Sequence, residues 1–235
     1  MSAKPAIPAA SVVLAHGAWA DGSSWNKVIA SLQAFGLTVR AAPLPLTSLA
    51  DDVAALERTV DRLEGPVVAV GHAYAGAVVG EARHDRIKSL VYIAALAPDE
   101  GETVAEVFYR NAPHPQAPAL APDLHELIWL PDEAFAAAFA QHAPAAEQAA
   151  LSAVQRPISP AAITVPVGRP RWKDLPSWYL LAEEDRMIVP ETQRFMAERM
   201  GARVRSHPVD HTPIVTAPEL VVDLILEAVR ALEAR

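Results

Sequence analysis

The chain has 235 residues, of which 51% are hydrophobic and 20% are charged, with a formal net charge of -8 and no cysteine. A single domain of this length can bury a sizeable core, and this composition is ordinary for a soluble globular enzyme. The acidic balance and the lack of Lys and Arg clusters argue against a nucleic-acid-binding protein. Without cysteine, a disulfide framework, a thiolate metal site and a cysteine nucleophile are excluded.

The chain shows no sequence signal for a membrane or for export. Its first eight residues lack the continuous apolar core of a signal peptide, and no stretch approaches the roughly 18 apolar residues of a membrane span. We therefore expect a soluble, cytoplasmic protein with neither nucleic acid nor a membrane as its partner. The sequence leaves the oligomeric state open.

The first part of the chain alternates between short apolar runs and longer mixed segments, which predicts strands and helices in turn. Strands are predicted at Val12–Ala15, Thr38–Ala41, Pro66–Val70 and Leu90–Ile93. Helices are predicted from Ser24 to Phe35, after Ser48 to Leu63, and after Tyr74 to Arg83. Such alternation predicts a parallel sheet with helices on both faces.

The middle of the chain differs in character, because residues 98–176 hold 12 of the 21 prolines. Its predicted helices are short and lie at 104–109, 132–142 and 145–154. A folded lid is favoured over a disordered linker by the aromatic residues Trp129, Phe135, Phe139 and Trp172. We predict a helical cap at residues 98–175, inserted between two parts of one α/β core at 1–97 and 176–235.

Regular alternation returns after the cap. Strands are predicted at Trp178–Ala182 and Val204–His207, and helices at Pro190–Met200 and from Pro218 to Leu232. The predicted fold class is therefore α/β, with a mostly parallel central sheet, helices on both faces and an inserted helical cap.

Residues that can carry chemistry follow the ends of four predicted strands, where open α/β sheets place their ligands. The segments are His16-Gly17-Ala18-Trp19, Gly71-His72-Ala73-Tyr74-Ala75-Gly76, Glu183-Glu184-Asp185 and Asp210-His211-Thr212. Other site classes lack support. Gly71 and Gly76 have P-loop spacing without the following Lys, no dinucleotide fingerprint follows the first strand, and the histidines lack metal-ligand spacing. We expect no metal and no cofactor.

The second segment has the form of a nucleophile elbow without a nucleophile. In the G-x-S-x-G elbow, a serine lies on the sharp turn between a strand and a helix. Here Ala73 takes the serine position and Ala75 takes the second glycine position. A methyl group cannot attack a carbonyl, so the meaning of Ala73 decides the function of the chain.

Taken in chain order, these segments resemble the α/β-hydrolase superfamily. More narrowly, they resemble the small esterases related to plant methylesterases and hydroxynitrile lyases. The resemblance covers nearly the whole chain and rests on residues 16–19, 71–76, 183–190 and 209–211. It implies the α/β-hydrolase fold and an order of nucleophile, acid and histidine along the chain.

The resemblance also implies a role for individual residues. His211 would be the general base, and Asp185, rather than Glu183 or Glu184, would hold its imidazole in the correct tautomer. The backbone N–H groups of Ala18 and Tyr74 would form the oxyanion hole.

The small Gly17 would leave the backbone of this loop open to a substrate. The expected substrate pocket is lined by Gly17, Trp19, Trp129, Phe135 and Phe139. Because these side chains are apolar, we expect an uncharged small ester, thioester or lactone as the substrate. His16 and His72 are expected to brace the loops that carry them.

Three hypotheses account for Ala73. The favoured one is a serine esterase whose nucleophile was replaced by an engineered alanine, because Asp185, His211 and the oxyanion loop are intact. The second is a naturally serine-less enzyme, either a β-keto acid decarboxylase similar to plant methylketone synthases or a cofactor-independent enzyme using the same His and Asp. Hydroxynitrile lyases of this branch carry Thr where Gly17 stands, which argues against a lyase. The third is a non-catalytic binder of small carbonyl ligands.

Overall fold

The computed structural model describes residues 10–232. Within them, six strands form a single sheet in the order β2-β1-β3-β4-β5-β6, and every neighbouring pair is parallel. The strands are β1 (Ser11–Ala15), β2 (Thr38–Ala42), β3 (Val67–His72), β4 (Ile87–Ile93), β5 (Ser177–Ala182) and β6 (Arg203–His207). The prediction of an α/β fold built on a mostly parallel sheet is confirmed.

The burial of the strands explains why their sequences are continuous apolar runs. Every residue of β1, β3 and β5 is buried, as expected for strands covered on both faces. The edge strand β6 is mostly exposed and carries two arginines. In the register of the central strands, Ala15 of β1 lies beside Gly71 of β3, so the loops that follow both strands leave the sheet side by side.

Nine α-helices are found in the part of the chain that the structure describes. They are α1 (Asn26–Ala34), α2 (Leu49–Val60), α3 (Ala75–Glu81), α4 (Val104–Phe108), α5 (Asp132–Ala134), α6 (Ala145–Val154), α7 (Pro190–Arg199), α8 (Pro213–Thr216) and α9 (Pro218–Arg230). Helix α1 packs against α9, and α2 against α3, while α9 also crosses β3, β4 and β5. Three short 3₁₀ helices lie at Gly22–Trp25, Pro160–Ala162 and Arg171–Lys173. Among residues 10–232 no helix is both long and apolar enough to cross a membrane.

Two predicted helices differ from the structure. The helix expected from Ser24 begins as the 3₁₀ helix Gly22–Trp25 and becomes α-helical only at Asn26. Asp21 caps the 3₁₀ helix, because its side chain accepts a hydrogen bond from the Ser23 N–H. The helix expected over 132–142 is a short α5 that continues as a π-helix over Phe135–Phe139. A π-helical turn is wider than an α-helical one, which changes the face on which its side chains lie.

The chain between β4 and β5 holds α4, α5, α6 and the last two 3₁₀ helices, and none of its residues belongs to the sheet. Its two halves are joined by an antiparallel bridge between Ile128 and Ile158. The division into core and cap at residues 98 and 175 stays a prediction.

Candidate active site

The turn after β3 has the backbone of a nucleophile elbow. Ala73 has a φ of 51°, in the left-handed region that costs a non-glycine residue about 1–2 kcal/mol. The strained peptide is held on both sides, because the Ala73 N–H donates to the Ile93 carbonyl at 3.2 Å and its carbonyl accepts from the Leu96 N–H at 2.9 Å. A Cβ on Gly71 would lie 2.5 Å from the Ala75 carbonyl oxygen, so only glycine fits before this turn. The elbow geometry is therefore complete around an alanine.

The loop after β1 lies directly against the elbow. A Cβ on Gly17 would come within 2.9 Å of the Ala73 Cβ and 3.1 Å of the His72 carbonyl oxygen, distances that a real side chain does not tolerate. Gly17 therefore sets how closely the two loops approach each other. Any larger residue here would push the next residue, Ala18, away from Ala73.

Ala18 and Tyr74 both line the cavity beside Ala73, and within residues 10–232 neither backbone N–H has a hydrogen-bond acceptor. The loop that carries Ala18 is fixed by Trp19, whose backbone N–H donates to the Arg156 carbonyl and whose indole donates to the Ile128 carbonyl, both at 2.9 Å. Two N–H donors thus face one cavity from two rigid loops. This is the arrangement that stabilises a developing oxyanion.

The side chain of Tyr74 is anchored below the cavity. Its hydroxyl donates to Asp52 Oδ2 at 2.7 Å, and Asp52 Oδ1 accepts from the Leu46 N–H at 2.8 Å. Burial raises the pKa of the Asp52 carboxyl, an effect that the hydrogen bond from Tyr74 partly opposes. Burial also raises the pKa of the Tyr74 hydroxyl, and the neighbouring Asp52 raises it further, so the phenol stays a donor. Sequence reasoning missed Asp52, because an acidic residue in the first turn of a helix is ordinary and gives no signal of a site.

The acidic and basic partners meet at the ends of β5 and β6. His211 Nδ1 lies 2.8 Å from Asp185 Oδ2, and both side chains are buried. Asp185 also accepts from the Met187 N–H at 2.8 Å, the Ile188 N–H at 2.9 Å and Gln193 Nε2 at 2.8 Å. Asp185 thus accepts from four donors, one of which is Nδ1–H of His211, and His211 Nε2 has no hydrogen-bond partner within residues 10–232.

Gln193 is a site residue that the sequence did not reveal. Its amide on α7 donates to Asp185 Oδ2 and to the Ile188 carbonyl, while its oxygen accepts from the Ala182 N–H at 3.0 Å. It therefore ties the end of β5 to the turn that carries Asp185. Its position one helical turn after Pro190 gave no signal, because a glutamine on a helix is ordinarily a surface residue.

His72 braces the catalytic loop from the end of β3. Its Nε2–H donates to the His211 carbonyl at 2.7 Å, and the two rings lie 5.0 Å apart. Burial, and next the nearby His211, lower the pKa of His72 to about 3, so it is neutral at working pH. His16 Nδ1–H donates to the Gly17 carbonyl at 3.0 Å, and burial lowers the pKa of His16 as well. The bracing roles expected for both histidines agree with these contacts.

Asp210, the residue before His211, ties the segment between β4 and β5 to the site. It accepts from the His142 N–H at 3.0 Å, from the Thr216 hydroxyl at 2.6 Å and from the Thr212 N–H at 3.2 Å. The Thr212 hydroxyl in turn donates to the Phe139 carbonyl at 2.8 Å. The π-helix is therefore joined directly to the loop that carries the base.

A cavity of about 300 Å³ opens over these groups, and its walls are almost entirely apolar. Its lining residues are Ala18, Trp19, Ala73, Tyr74, Leu96, Val104, Ala105, Phe108, Tyr109, Leu120, Pro122, Ile128, Ile158, Pro160, Ile163, Thr164, Ile188 and His211. One chamber thus brings together the elbow, both N–H donors and the base.

Of the five residues predicted to line the pocket, the structure places one in the cavity wall and four outside it. Trp19 lines the cavity, whereas Gly17, Trp129, Phe135 and Phe139 are not part of its wall. Trp129 is 45% exposed. Phe139 is buried with its ring centroid 5.3 Å from that of His211, so it supports the imidazole from behind. The cavity wall comes instead from α4 and from loops whose irregular sequence carries no periodic signal.

Comparison with known proteins decides the family. The model of the alpha/beta hydrolase family matches residues 12–224. The chain belongs to the alpha/beta hydrolase family. Among curated proteins, this hydrolase is similar to Probable hydrolase R7 of Phoma sp., with 24% identity over 251 aligned residues. The alignment covers 92% of this chain and 96% of that protein.

Solved structures share the fold of this alpha/beta hydrolase at low sequence identity. Polyneuridine aldehyde esterase is 19% identical with a TM-score of 0.80, covering 94% of this chain and 99% of its own. A pyrethroid hydrolase from Sphingobium faniae JZ-2 is 22% identical with a TM-score of 0.74, covering 96% of this chain and all of its own. Among residues 10–232 no cluster of three or more His, Asp and Glu side chains has the arrangement of a metal site.

Proposed function

We propose that this alpha/beta hydrolase is a carboxyl-ester hydrolase in which Ala73 stands in the place of the serine nucleophile. The observation that carries the proposal is that His211, bonded to the buried Asp185 at 2.8 Å, lines the same cavity as Ala18 and Tyr74, whose N–H groups have no acceptor within residues 10–232. A base, its orienting acid and two donors for an oxyanion are the groups that acyl transfer needs besides a nucleophile. The chain lacks one oxygen atom of that set.

With serine at position 73, each group has a defined task. His211 Nε2 would take the proton of the hydroxyl as its oxygen attacks the acyl carbon, and Asp185 would stabilise the resulting imidazolium. The Ala18 and Tyr74 N–H groups would bind the oxyanion. His211 would then return the proton to the leaving alcohol, and water would release the acyl group in a second cycle.

The strain at Ala73 favours a replaced serine over an unrelated tight turn. Glycine would adopt the φ of 51° without cost, whereas alanine gains nothing from this conformation. The hydrogen bonds of Ala73 with Ile93 and Leu96 hold the position as an elbow requires. A single change from serine to alanine, engineered or natural, explains both the strain and the intact surroundings.

The walls of the cavity favour a neutral substrate. The lining side chains with polar groups are His211, Thr164, Tyr109, Trp19 and Tyr74. The Trp19 indole is already bonded to the Ile128 carbonyl and the Tyr74 hydroxyl to Asp52, and the other lining side chains are apolar. A buried charge without a partner would be costly here. An uncharged ester, thioester or lactone fits this site. The ester-cleaving names of the similar solved structures agree with that class.

Restoring the nucleophile tests the proposal. We expect Ala73→Ser to raise kcat/KM for p-nitrophenyl butyrate by at least ~10³-fold, because loss of a triad member commonly costs that much or more. The matched control is Ala73→Gly, which changes the same position without adding a nucleophile. The proposal is overturned if Ala73→Ser, folded as judged by circular dichroism, hydrolyses a panel of short esters no faster than Ala73→Gly.

A further inference from the structure

The chain with Ala73 in place retains a free base aimed into a cavity. We propose that water takes the role of the nucleophile in this form, activated by His211 for direct attack on the bound acyl carbon. This inference rests on the proposed function and deepens it, because it assigns an activity to the chain without a serine. It also narrows the substrate to activated acyl compounds.

The first requirement is a base that is free and fixed. His211 Nδ1 is bonded to Asp185, while Nε2 has no hydrogen-bond partner among the described residues. The imidazole packs against the rings of Phe139, at 5.3 Å, and His72, at 5.0 Å, and the His211 carbonyl accepts from His72 Nε2 at 2.7 Å. These contacts and the bond to Asp185 hold the ring in place, and His211 lines the cavity, so we infer that the lone pair of Nε2 faces the cavity.

The second requirement is room for one oxygen atom beside that base. Alanine and serine differ by a single hydroxyl oxygen, and the held elbow keeps the Ala73 Cβ in the position from which that oxygen would project. Gly17 approaches Ala73 from the other side, where even a Cβ would lie 2.9 Å from the methyl group. No side chain of this loop can fill the space. Ala73 and His211 line the same cavity, so the space into which a serine hydroxyl would project belongs to the chamber that holds the base.

The third requirement is polar partners for a water molecule, which needs two or more in a site of this kind. His211 Nε2 accepts one of its hydrogens. The Ala18 and Tyr74 N–H groups supply donors, and these bind the carbonyl oxygen once a substrate enters. Apart from the Thr164 and Tyr109 side chains, the remaining walls offer a water molecule almost no polar partner.

The step balances without any further reagent. His211 Nε2 removes a proton from water as the water oxygen bonds to the acyl carbon, and the carbonyl electrons move onto the oxygen held by Ala18 and Tyr74. When this intermediate collapses, the bond to the leaving oxygen or sulfur breaks, and that atom takes the proton from Nε2. The products are a carboxylic acid and an alcohol or thiol, and Asp185 stays ionised throughout.

Direct attack restricts the substrate class. Water held by one base is a weaker nucleophile than a serine in a complete triad, so the acyl carbon has to be activated by its leaving group. Aryl esters, thioesters and strained lactones meet this condition, whereas simple alkyl esters do not. The rate of the unaltered chain should therefore increase steeply with the acidity of the leaving group.

The experiment compares the unaltered chain with Ala73→Ser, His211→Ala and the control His125→Gln, using p-nitrophenyl, phenyl and ethyl butyrate. We expect the unaltered chain to hydrolyse the aryl esters without a burst and at least ~10²-fold faster than His211→Ala, the usual contribution of a general base. His125→Gln changes an exposed histidine outside the cavity wall and should stay within about fivefold of the unaltered chain. Intact-mass analysis after acid quench should detect a butyryl adduct on Ala73→Ser only.

Two results overturn the inference. One is a rate for the unaltered chain that equals that of His211→Ala, and the other is a butyryl adduct on the unaltered chain. Should His211→Ala fail to fold, the leaving-group series on the unaltered chain still decides, because equal rates for aryl and ethyl butyrate contradict direct attack. An active Ala73→Ser beside an inactive unaltered chain removes this inference and leaves the proposed function intact. An inactive Ala73→Ser removes the proposed function itself.

Discussion

The two sides of the cavity differ in how completely their polar groups are hydrogen-bonded within the protein. On the side of Asp185 and His211, the carboxylate accepts four hydrogen bonds and the imidazole is fixed by its ring neighbours and by its own backbone. On the side of Ala73, the backbone is strained, and the N–H groups of Ala18 and Tyr74 have no acceptor within residues 10–232. One side is saturated with hydrogen bonds, and the other is left open.

This difference in hydrogen bonding suits the two sides of the cavity to different tasks. A saturated side fixes a charge and a proton at one atom, because any movement would break several buried hydrogen bonds. An open side keeps donors free for a group that arrives from outside and develops charge during the reaction. The strain at Ala73 belongs to the open side and is maintained by contacts with the loop after β4. The predictions below break or sharpen this comparison.

The largest effect is expected from Asp185→Asn in the Ala73→Ser protein. Each oxygen of Asp185 accepts hydrogen bonds from two donors. Whichever way the new asparagine side chain is oriented, its NH₂ group therefore faces two donors and cannot replace the lost acceptor. His211 would lose its tautomer, and we expect kcat to fall by about 10⁴-fold. Steady-state hydrolysis of p-nitrophenyl butyrate measures the loss, and ¹⁵N NMR of the imidazole reports the tautomer. The matched control, Glu184→Gln, changes a neighbouring exposed carboxylate and should cost less than threefold; equal losses would contradict the assignment of Asp185.

A smaller effect is expected from Gly17→Ala in the same Ala73→Ser protein. The added methyl would lie 2.9 Å from the Cβ of residue 73, so the loop must move and carry the Ala18 N–H with it. Loss of one oxyanion donor lowers kcat by about 10²-fold. The control is Gly22→Ala, whose new methyl would meet the Ala41 Cβ at an ordinary 3.5 Å. Indistinguishable kcat values for the two variants would show that the close approach of the loops is not needed.

The next effect concerns stability and pH. The pKa of His72 is about 3 in the folded chain and 6.5 as its ordinary value, so below about pH 6.5 the unfolded chain binds a proton that the native one does not. As the pH is lowered from about 6.5 to about 3, the free energy of unfolding then falls by up to about 1.4 kcal/mol per pH unit. Each such step changes the equilibrium constant of unfolding roughly tenfold. His72→Gln keeps a donor for the His211 carbonyl without titrating, so its stability should fall less steeply with pH.

Urea-induced unfolding at pH 7, 6 and 5 checks this prediction. The control variant is His125→Gln, which changes an exposed histidine and should follow the unaltered chain in parallel. A slope for His72→Gln as steep as that of the control would show that His72 contributes nothing to acid sensitivity.

The smallest effect distinguishes two adjacent residues of the pocket prediction. Ile128 lines the cavity, whereas Trp129 is half-exposed and lies outside its wall. In the Ala73→Ser protein we expect Ile128→Ala to lower kcat/KM for p-nitrophenyl hexanoate by about three- to tenfold, since each lost methylene contact is worth about 0.8 kcal/mol. Trp129→Ala should stay within twofold. A larger loss of kcat/KM for Trp129→Ala than for Ile128→Ala would show that Trp129 contacts the substrate after all.

Much of the fold was predictable from the chain because its central strands β1, β3, β4 and β5 are buried on both faces, with Lys88 of β4 as the exception. Such strands appear as continuous apolar runs, and all six predicted strands overlap observed ones. The four segments at the strand ends were also visible, since parallel strands deliver their following loops to one edge of the sheet. The resemblance to α/β hydrolases rested on these segments, and the family is confirmed.

The supporting residues of the site were not predictable in the same way. Gln193, Asp210 and Asp52 act through a few side-chain hydrogen bonds each, and such bonds leave no periodic pattern in the sequence. Most of the cavity wall comes from irregular loops, whose contacts have no period. The π-helix at Phe135–Phe139 also turned two expected pocket residues into packing residues.

The sequence by itself determined the order of the strands and helices, and it predicted that Ala73 lies at the position where an elbow carries its nucleophile. Burial on two faces and the sharp strand-to-helix turn impose those features locally. Only the tertiary structure decided that Ala73 keeps a strained left-handed backbone, that Gly17 approaches it within contact distance and that His211 Nε2 is left free. These properties depend on distances between loops that lie far apart in the chain, and such distances are set when the sheet brings the loops together.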